Sequence, residues 1–356
     1  MPTAIVTGSG GLVGSESVAR LVSEGFDVVG LENDMRGEFF GPSASTAPTS
    51  RRLTAAYPNE FRSIDLDIRD AAGVDAVFAE HAGGLELIVQ TAAQPSHDWA
   101  AQAPHVDFAI NATGTLNLLE SAGKHAPDAS FVFCSTNKVY GDLPNQLPLV
   151  ETTTRWELPE GHRYYAGIDT TMSIDRSTHS LFGVSKAAAD LLVQEYGQYF
   201  DMPTVCFRGG CMTGPNHAGA QLHGFLSYLM KCTITNEPYT VFGYRAKQVR
   251  DNIHSADLVE AFLAFHRAPR AAAVYNIGGG RASNCSMLEA IEMCERIAER
   301  ELQWTLADEN RIGDHRWWIS DLSAFERDHP EWSLRYSVED ILRQIHDANV
   351  EHWAPA

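Results

Sequence analysis

The stretch Thr7-Gly8-Ser9-Gly10-Gly11-Leu12-Val13-Gly14 decides how this chain is read. It follows the apolar run Ala4-Ile5-Val6 and opens onto a helical pattern, Gly14–Glu24. Gly8, Gly11 and Gly14 stand three residues apart, and each spacing has a reason. Gly8 permits the turn, Gly11 lets backbone N–H groups approach a pyrophosphate, and Gly14 lets helix and strand pack closely. A glycine triplet alone is weak evidence; after a first strand and before a first helix it reads as a dinucleotide-binding turn, with Leu12 and Val13 inside the loop.

Working outward, β-branched runs alternate with amphipathic stretches. Strand-like Thr3–Thr7, Val28–Glu32, Phe61–Leu66, Leu87–Thr91 and Phe131–Ser135 are separated by helical patterns at Gly14–Glu24, Ala72–His81 and Ile110–Lys124. Gly41–Ser50 is a stretch rich in Pro, Ser and Thr. Such alternation is the signature of a parallel, doubly wound sheet, so the expected fold is an α/β Rossmann domain with a smaller C-terminal substrate-binding lobe. Residues 1–180 are expected to form the main part of the dinucleotide domain. A helix at Ser185–Phe200 and a strand at Thr204–Arg208 would complete it over 181–208, and 209–356 would form mainly the second lobe, with some segments returning. Val274–Gly278 reads as a further strand, and Ser286–Arg300 and Val338–Asn349 as helices.

The second apolar run ends at Glu32-Asn33-Asp34-Met35-Arg36, where an acid about 20 residues past the glycines accepts hydrogen bonds from the adenosine ribose. Glu32 takes that part, and its charge repels a 2′-phosphate, which favours NAD over NADP; Arg36 nearby weakens the discrimination. Composition narrows the partners. With 356 residues, 27 Lys plus Arg against 46 Asp plus Glu, and a formal charge of −19, most of the surface repels phosphate backbones and anionic membranes. No nucleic acid and no membrane are expected as partners, and no apolar stretch approaches the ~20 residues that span a bilayer. Six cysteines without a Cys-x-x-Cys pair, and 14 histidines without metal-ligand spacing, give no support for a disulfide frame or a metal site. The expected location is cytoplasmic.

From here the chain resembles the extended short-chain dehydrogenase/reductase family, in its nucleotide-sugar epimerase and dehydratase group. Asp67-Ile68-Arg69-Asp70 is similar to the family's turn after the third strand, which implies that Asp67 and Ile68 contact adenine. Thr91-Ala92-Ala93-Gln94 occupies the place of its His-x-Ala-Ala; the resemblance implies cofactor contacts for Thr91, Ala92 and Ala93 and a substrate contact for Gln94. Asn111-Ala112-Thr113-Gly114-Thr115 matches Asn-x-x-Gly-Thr.

Ser135-Thr136-Asn137-Lys138-Val139-Tyr140-Gly141 resembles the motif in which the second hydroxyl residue, here Thr136, orients the reacting sugar hydroxyl. Sugar dehydratases continue this motif with Asp-Glu; Asn137-Lys138 disfavours dehydration and is similar to the branch that contains the CDP-tyvelose (CDP-paratose) 2-epimerases, with Asn137 beside the substrate. The family's Tyr-x-x-x-Lys reads Phe182-Gly183-Val184-Ser185-Lys186. Lys186 is in place for the catalytic and cofactor roles of that Lys, but Phe182 carries no proton. If Phe is the native residue, the proton must travel through Thr136, a water, or Tyr164, Tyr165, His179 or Cys211.

In the C-terminal part, Arg208-Gly209-Gly210-Cys211-Met212-Thr213-Gly214-Pro215 resembles a pocket-lining segment, placing Cys211 near the sugar. Arg250-Asp251-Asn252-Ile253-His254 and Arg311-Ile312-Gly313-Asp314 resemble the two segments whose arginines grip the substrate diphosphate, and Trp317-Trp318 offers rings for stacking or for the core. The resemblance implies an NAD-dependent epimerase of a nucleotide-diphosphate sugar, with NAD retained, in a homodimer. A reductase or dehydrogenase, and a silent binder of NAD or sugar nucleotide, are the competing readings.

Overall fold

The computed structural model describes residues 1–217, 224–308 and 313–353. The strands are β1 Thr3–Thr7, β2 Asp27–Glu32, β3 Phe61–Asp65, β4 Leu85–Gln90, β5 Ser130–Thr136, β6 Val150–Glu151, β7 Trp156–Glu157 and β8 Thr204–Gly209. They continue as β9 Cys211–Thr213, β10 Tyr239–Phe242, β11 Val249–His254, β12 Ala273–Ile277, β13 Asn284–Ser286, β14 Trp304–Ala307 and β15 Trp317–Trp318. Of the helices, α1 Leu12–Ser23, α2 Met35–Phe40, α3 Ala47–Ala56, α4 Ala71–His81, α5 His97–Gln102, α6 Pro104–Phe108, α7 Gly114–His125 and α8 Leu181–Phe200 fall before β8. After it come α9 Phe225–Thr235, α10 Ser255–Arg267, α11 Met287–Ala298, α12 Ser323–Asp328 and α13 Val338–Trp353.

The chain divides into two compact units. The first comprises Met1–Val139, Ser180–Arg208 and Val259–Tyr275. Its framework is a seven-stranded sheet of order β12-β8-β5-β4-β1-β2-β3, the doubly wound order expected from the alternating pattern. The pairs β1–β2, β1–β4, β2–β3 and β4–β5 are parallel. Strands sandwiched by helices are apolar on both faces, and β1 is buried at every residue. Ile5, Val29, Phe78, Ile88, Leu118, Phe131 and Val193 belong to one core cluster between sheet and helices.

The second unit comprises Tyr140–His179, Gly209–Leu258 and Asn276–Ala356. The units divide between Arg208 and Gly209, and 140–179 falls in the second. The reason is packing: Tyr140 Oη donates to Asn276 Oδ1 at 2.8 Å, its ring stacks on Trp318, and Arg281 pairs with Glu157 at 2.8 Å. The unit's own core is built from α9, α11 and α13, around Leu229, Met230, Ile291, Cys294, Ile341 and Leu342. Its small sheet has β11 between antiparallel β13 and parallel β15, with β9 also parallel to β11.

The Pro-, Ser- and Thr-rich stretch 41–50 passes into α3 at Ala47, with Pro48 in the first turn where its missing N–H costs nothing. One local expectation changes. Helix α8 starts at Leu181 rather than Ser185, since Ser180 caps it by accepting the Gly183 N–H at 3.1 Å. That cap puts Phe182 and Lys186 one turn apart on one face of α8.

Candidate active site

At the carboxyl edge of the first unit, Gly8 has φ of 66° and a Cβ there would lie 2.9 Å from the Ala92 backbone. A Cβ on Gly14 would meet the Gly8 carbonyl oxygen at 2.1 Å, so both positions require glycine. Helix α1 is entered through Gly11 with no side-chain cap and no acid in its first turn, whereas Asp70, Ser180 and Ser286 cap α4, α8 and α11. Its unfilled N–H groups and dipole suit an anion. Leu12 and Val13 form the first turn, with Val13 buried.

Glu32 ends β2 and closes over this loop: Oε2 accepts the Gly10 N–H at 2.9 Å, and Oε1 accepts those of Asn33 at 3.1 Å and Asp34 at 2.9 Å. Three of about four lone-pair sites are used, leaving one on Oε2 for a hydroxyl. Arg36 lies over the Phe40 ring at 5.3 Å; burial lowers its pKa, and Glu32 opposes that. Asn33 Nδ2 donates to Asp67 at 3.0 Å, and Arg69 donates to the same carboxylate at 2.6 Å. Burial pushes the Asp67 carboxyl up, but Arg69 and Asn33 more than offset it and leave it below the usual range. Ile68 is buried under Gly114, and Thr91 Oγ1 donates to the Thr7 carbonyl at 2.7 Å, locking the β4 end to the glycine turn that Ala92 and Ala93 follow.

Thr136 is the last residue of β5, and its Oγ1 accepts the Lys138 N–H at 3.2 Å. Lys186 is buried, its Nζ donating to the Cys134 carbonyl at 2.9 Å and lying 4.0 Å from the centre of the Phe133 ring. Burial lowers this ammonium to about 8. Phe182, one turn earlier, is 7% exposed. Its ring meets the His97 imidazole edge to face at 5.1 Å, and His97 Nδ1 is 2.6 Å from Ser180 Oγ. Asn137 is buried in the 3₁₀ turn after β5.

Gln94 departs from expectation. It is fully buried, its amide donating to Ser96 O at 2.9 Å and Asp107 Oδ1 at 2.7 Å while its oxygen accepts the Ser96 N–H at 2.5 Å. Both amide donors are committed, so its place is in a network with Asn111 and Asp107 that props the loop after β4, not in a substrate contact.

Within the second unit, Arg250 on β11 pairs with Asp314 at 2.5 Å and donates to the Val249 carbonyl at 2.7 Å. Burial opposes its charge, and Asp314 more than offsets that and raises the pKa. Cys211 is half-buried on β9, opposite Asn252 of β11. Arg311 lies outside the described residues. Trp317 and Trp318 are both fully buried and serve the core rather than a stacking surface, with Trp317 Nε1 donating to Glu157 and Trp318 Nε1 to Ser320. A cavity of about 570 Å³ is lined instead by Asn145, Trp156, Tyr244, Arg245, Asp308 and Arg316 among others. Its wall includes Tyr244 and Arg245 from a run, Tyr244–Ala246, that has φ of 49°, 57° and 59°, a strained turn of the kind concentrated at binding sites. Sequence reading missed these residues and His97, since isolated aromatics and histidines carry no spacing signal.

A family model described as the NAD dependent epimerase/dehydratase family matches residues 4–278, well over half of the chain. The chain belongs to that family. It is therefore an NAD-dependent enzyme of the extended short-chain dehydrogenase/reductase type, and the glycine cradle and uncapped α1 fit the cofactor that the family's name states. Among similar relatives is CDP-paratose 2-epimerase of Salmonella typhi, 27% identical over 354 residues covering 96% of this chain and 98% of the relative. UDP-glucose 4-epimerase 4 of Oryza sativa subsp. japonica is 26% identical, over 96% and 88% of the two chains. The same fold occurs in UDP-glucose 4-epimerase of Bifidobacterium longum, solved with NAD+ and UDP, with a TM-score of 0.77, 21% identity and 98% coverage of each chain. It occurs too in UDP-glucuronic acid 4-epimerase of Bacillus cereus, solved with UDP-glucuronic acid and NAD, at a TM-score of 0.77, 22% identity and 98% and 99% coverage.

Proposed function

We propose that the protein epimerises one carbinol carbon of a nucleotide-diphosphate sugar by transient oxidation to a keto-sugar. When bound, NAD supplies the hydride acceptor and donor for that carbon. The arrangement at the end of β5 carries this reading: a half-buried Thr136 hydroxyl, and a buried Lys186 amine held on the carbonyl of Cys134 two residues earlier. Thr136, already accepting the Lys138 N–H, orients the sugar hydroxyl. Lys186 holds the nicotinamide ribose.

For the rest of the cofactor, the Gly8–Gly14 turn and α1 N-terminus receive the pyrophosphate, and Glu32 takes a ribose hydroxyl on Oε2. Asn33, Arg36, Asp67 and Ile68 surround adenine, while Thr91, Ala92 and Ala93 line the middle of the cofactor. Asn137 in place of an acid leaves this turn without the acid and base that eliminate water, which separates the reading from dehydration. In the second unit, Arg250 takes the diphosphate, with Arg311 as its proposed partner, and Cys211 lies beside the sugar.

Epimerisation is tested by incubating the enzyme with UDP- and CDP-hexoses and following the anomeric and ring protons by NMR. Epimer is expected without net absorbance change at ~340 nm, since oxidation and reduction cancel. Arg250→Ala is expected to weaken sugar-nucleotide binding by ~1.5–3 kcal/mol, with NAD affinity unchanged. A stoichiometric absorbance change would instead assign a reductase or dehydrogenase. Binding without any turnover would favour the silent binder, the reading that Phe182 supports.

A homodimer and a cytoplasmic location belong to the same proposal. Leu181, Val184 and Leu191 form an exposed apolar stripe on α8, near half exposed each, which suits a helix-to-helix contact between copies. Among the described residues no helix is long and apolar enough to cross a membrane.

A further inference from the structure

The family reading leaves one chemical gap: a ring without a hydroxyl, Phe182, stands where the proton-carrying tyrosine would be. We infer that His97 carries the proton instead, as the acid and base acting on the sugar hydroxyl. The inference rests on the epimerase reading above. It is drawn from the first unit alone, where α5 packs on α8 and His97 meets Ser180 and Phe182.

His97 is the titratable ring in contact with Phe182, at 5.1 Å between centres and 72° between planes. It opens α5 behind the cap Ser96, whose Oγ accepts the Trp99 N–H at 3.2 Å, so the backbone position is fixed. The loop before it is propped by the buried network of Gln94, Asp107 and Asn111, and Asn111 Nδ2 reaches Ser185 Oγ on α8 at 3.0 Å. His97 is therefore tied to α8 at two levels, through its own ring and through the loop that carries it.

Its hydrogen bond selects the chemistry. Ser180 Oγ already accepts the Gly183 N–H at 3.1 Å and lies 2.6 Å from His97 Nδ1. A hydroxyl keeps one lone pair and one proton after that cap bond, so it can donate to a bare Nδ1 or accept from Nδ1–H. Either way the ring is held with Nε2 directed away from Ser180, as a lone pair in one tautomer and as N–H in the other. An epimerase needs both, because the group that removes the hydroxyl proton must return it.

In the forward step Nε2 accepts the hydroxyl proton as the O–H electrons form the carbonyl π bond; NAD, when bound, would take the C–H pair as hydride and would give it back. The imidazolium is then stabilised by Nδ1–H donating to Ser180 Oγ. In the return step the hydride re-adds to the opposite face of the carbon, and Nε2–H reprotonates the oxygen. Lys186, one turn beyond Phe182, keeps its place by the cofactor. The pair His97–Ser180 thus replaces the proton function of tyrosine while Phe182 fills its volume.

The test is His97→Asn, which retains an amide near Nδ1 to meet Ser180 and deletes Nε2. We expect kcat to fall 10²–10⁴-fold, the usual worth of a general base, with sugar-nucleotide and NAD dissociation constants within twofold and an unchanged melting temperature. Installing the phenol in the same protein, His97→Asn with Phe182→Tyr, is expected to recover at least tenfold of the lost kcat; a purely structural role for His97 would give no recovery. In parallel, ¹⁵N-labelled imidazole signals of His97 are expected to move when UDP-glucose or CDP-glucose is added to the NAD-loaded wild type. A His97→Asn protein that keeps kcat within threefold overturns the inference while leaving the epimerase reading intact. If the wild type turns over no sugar nucleotide, the epimerase reading fails, and unmoved His97 signals under saturating sugar nucleotide then overturn the inference as well.

Discussion

Replacing Asp190 with Ala tests how the sheet edge that carries Thr136 is held. The Asp190 carboxylate on α8 receives Arg208 Nη2 at 2.7 Å and Nε at 3.1 Å from β8, and Ser135 Oγ at 2.6 Å from β5. The side chains are 1% and 6% exposed, so the pair is a buried fork between helix and two neighbouring strands. Removing the carboxylate leaves a guanidinium in the interior without its counter-charge, a loss of ~3–5 kcal/mol, and orphans the Ser135 hydroxyl, worth ~1–3 kcal/mol more. These overlap, so a total of about 4–6 kcal/mol is expected, a large part of the ~5–15 kcal/mol that holds a domain together. Urea unfolding followed by far-UV circular dichroism should show the midpoint collapse. The double replacement Asp190→Leu with Arg208→Met removes both charges and should recover most of the loss, because it is the unpaired charge that costs. A single variant losing less than ~1.5 kcal/mol, or a double variant as unstable as the single, would refute the argument.

Asp251 supplies a pH dependence. Burial raises its carboxyl from 3.8 to about 6, although it accepts N–H groups from Ser320 at 2.9 Å and Gly280 at 3.2 Å. The folded state then binds this proton more tightly than the unfolded state, so its contribution is full below pH ~4 and is lost as pH rises through ~6, about 3 kcal/mol in all. Melting curves of the wild type and Asp251→Asn should diverge in favour of the variant over that window, and parallel curves would contradict the assignment. Gly14→Ala forces a methyl to 2.1 Å from the Gly8 carbonyl oxygen. Overpacking against backbone should cost ~1–3 kcal/mol and weaken NAD at least tenfold in calorimetry; a loss of affinity under twofold would mean the turn does not hold the pyrophosphate.

Much of the first unit was written in local sequence. Gly8, Gly11 and Gly14 impose a turn that other residues cannot make, and the alternating runs from Thr3 to Ser135 impose strand and helix by periodicity, so fold and cofactor class were legible without coordinates. These are short-range constraints, each satisfied within a few residues or by one neighbouring strand. What tertiary structure decided depends on distant parts of the chain arriving at one place. Gln94 looked like a ligand contact until Ser96 and Asp107 took up its side-chain amide, and Trp317 and Trp318, open in the sequence to stacking or to the core, lie in the core. Arg250 became one half of an ion pair only because Asp314, 64 residues on, lies beside it. His97 had no motif to mark it. Its meaning comes from Ser180 and Phe182, more than 80 residues later in the chain, since a proton-transfer geometry is a relation between side chains that only the packed protein defines.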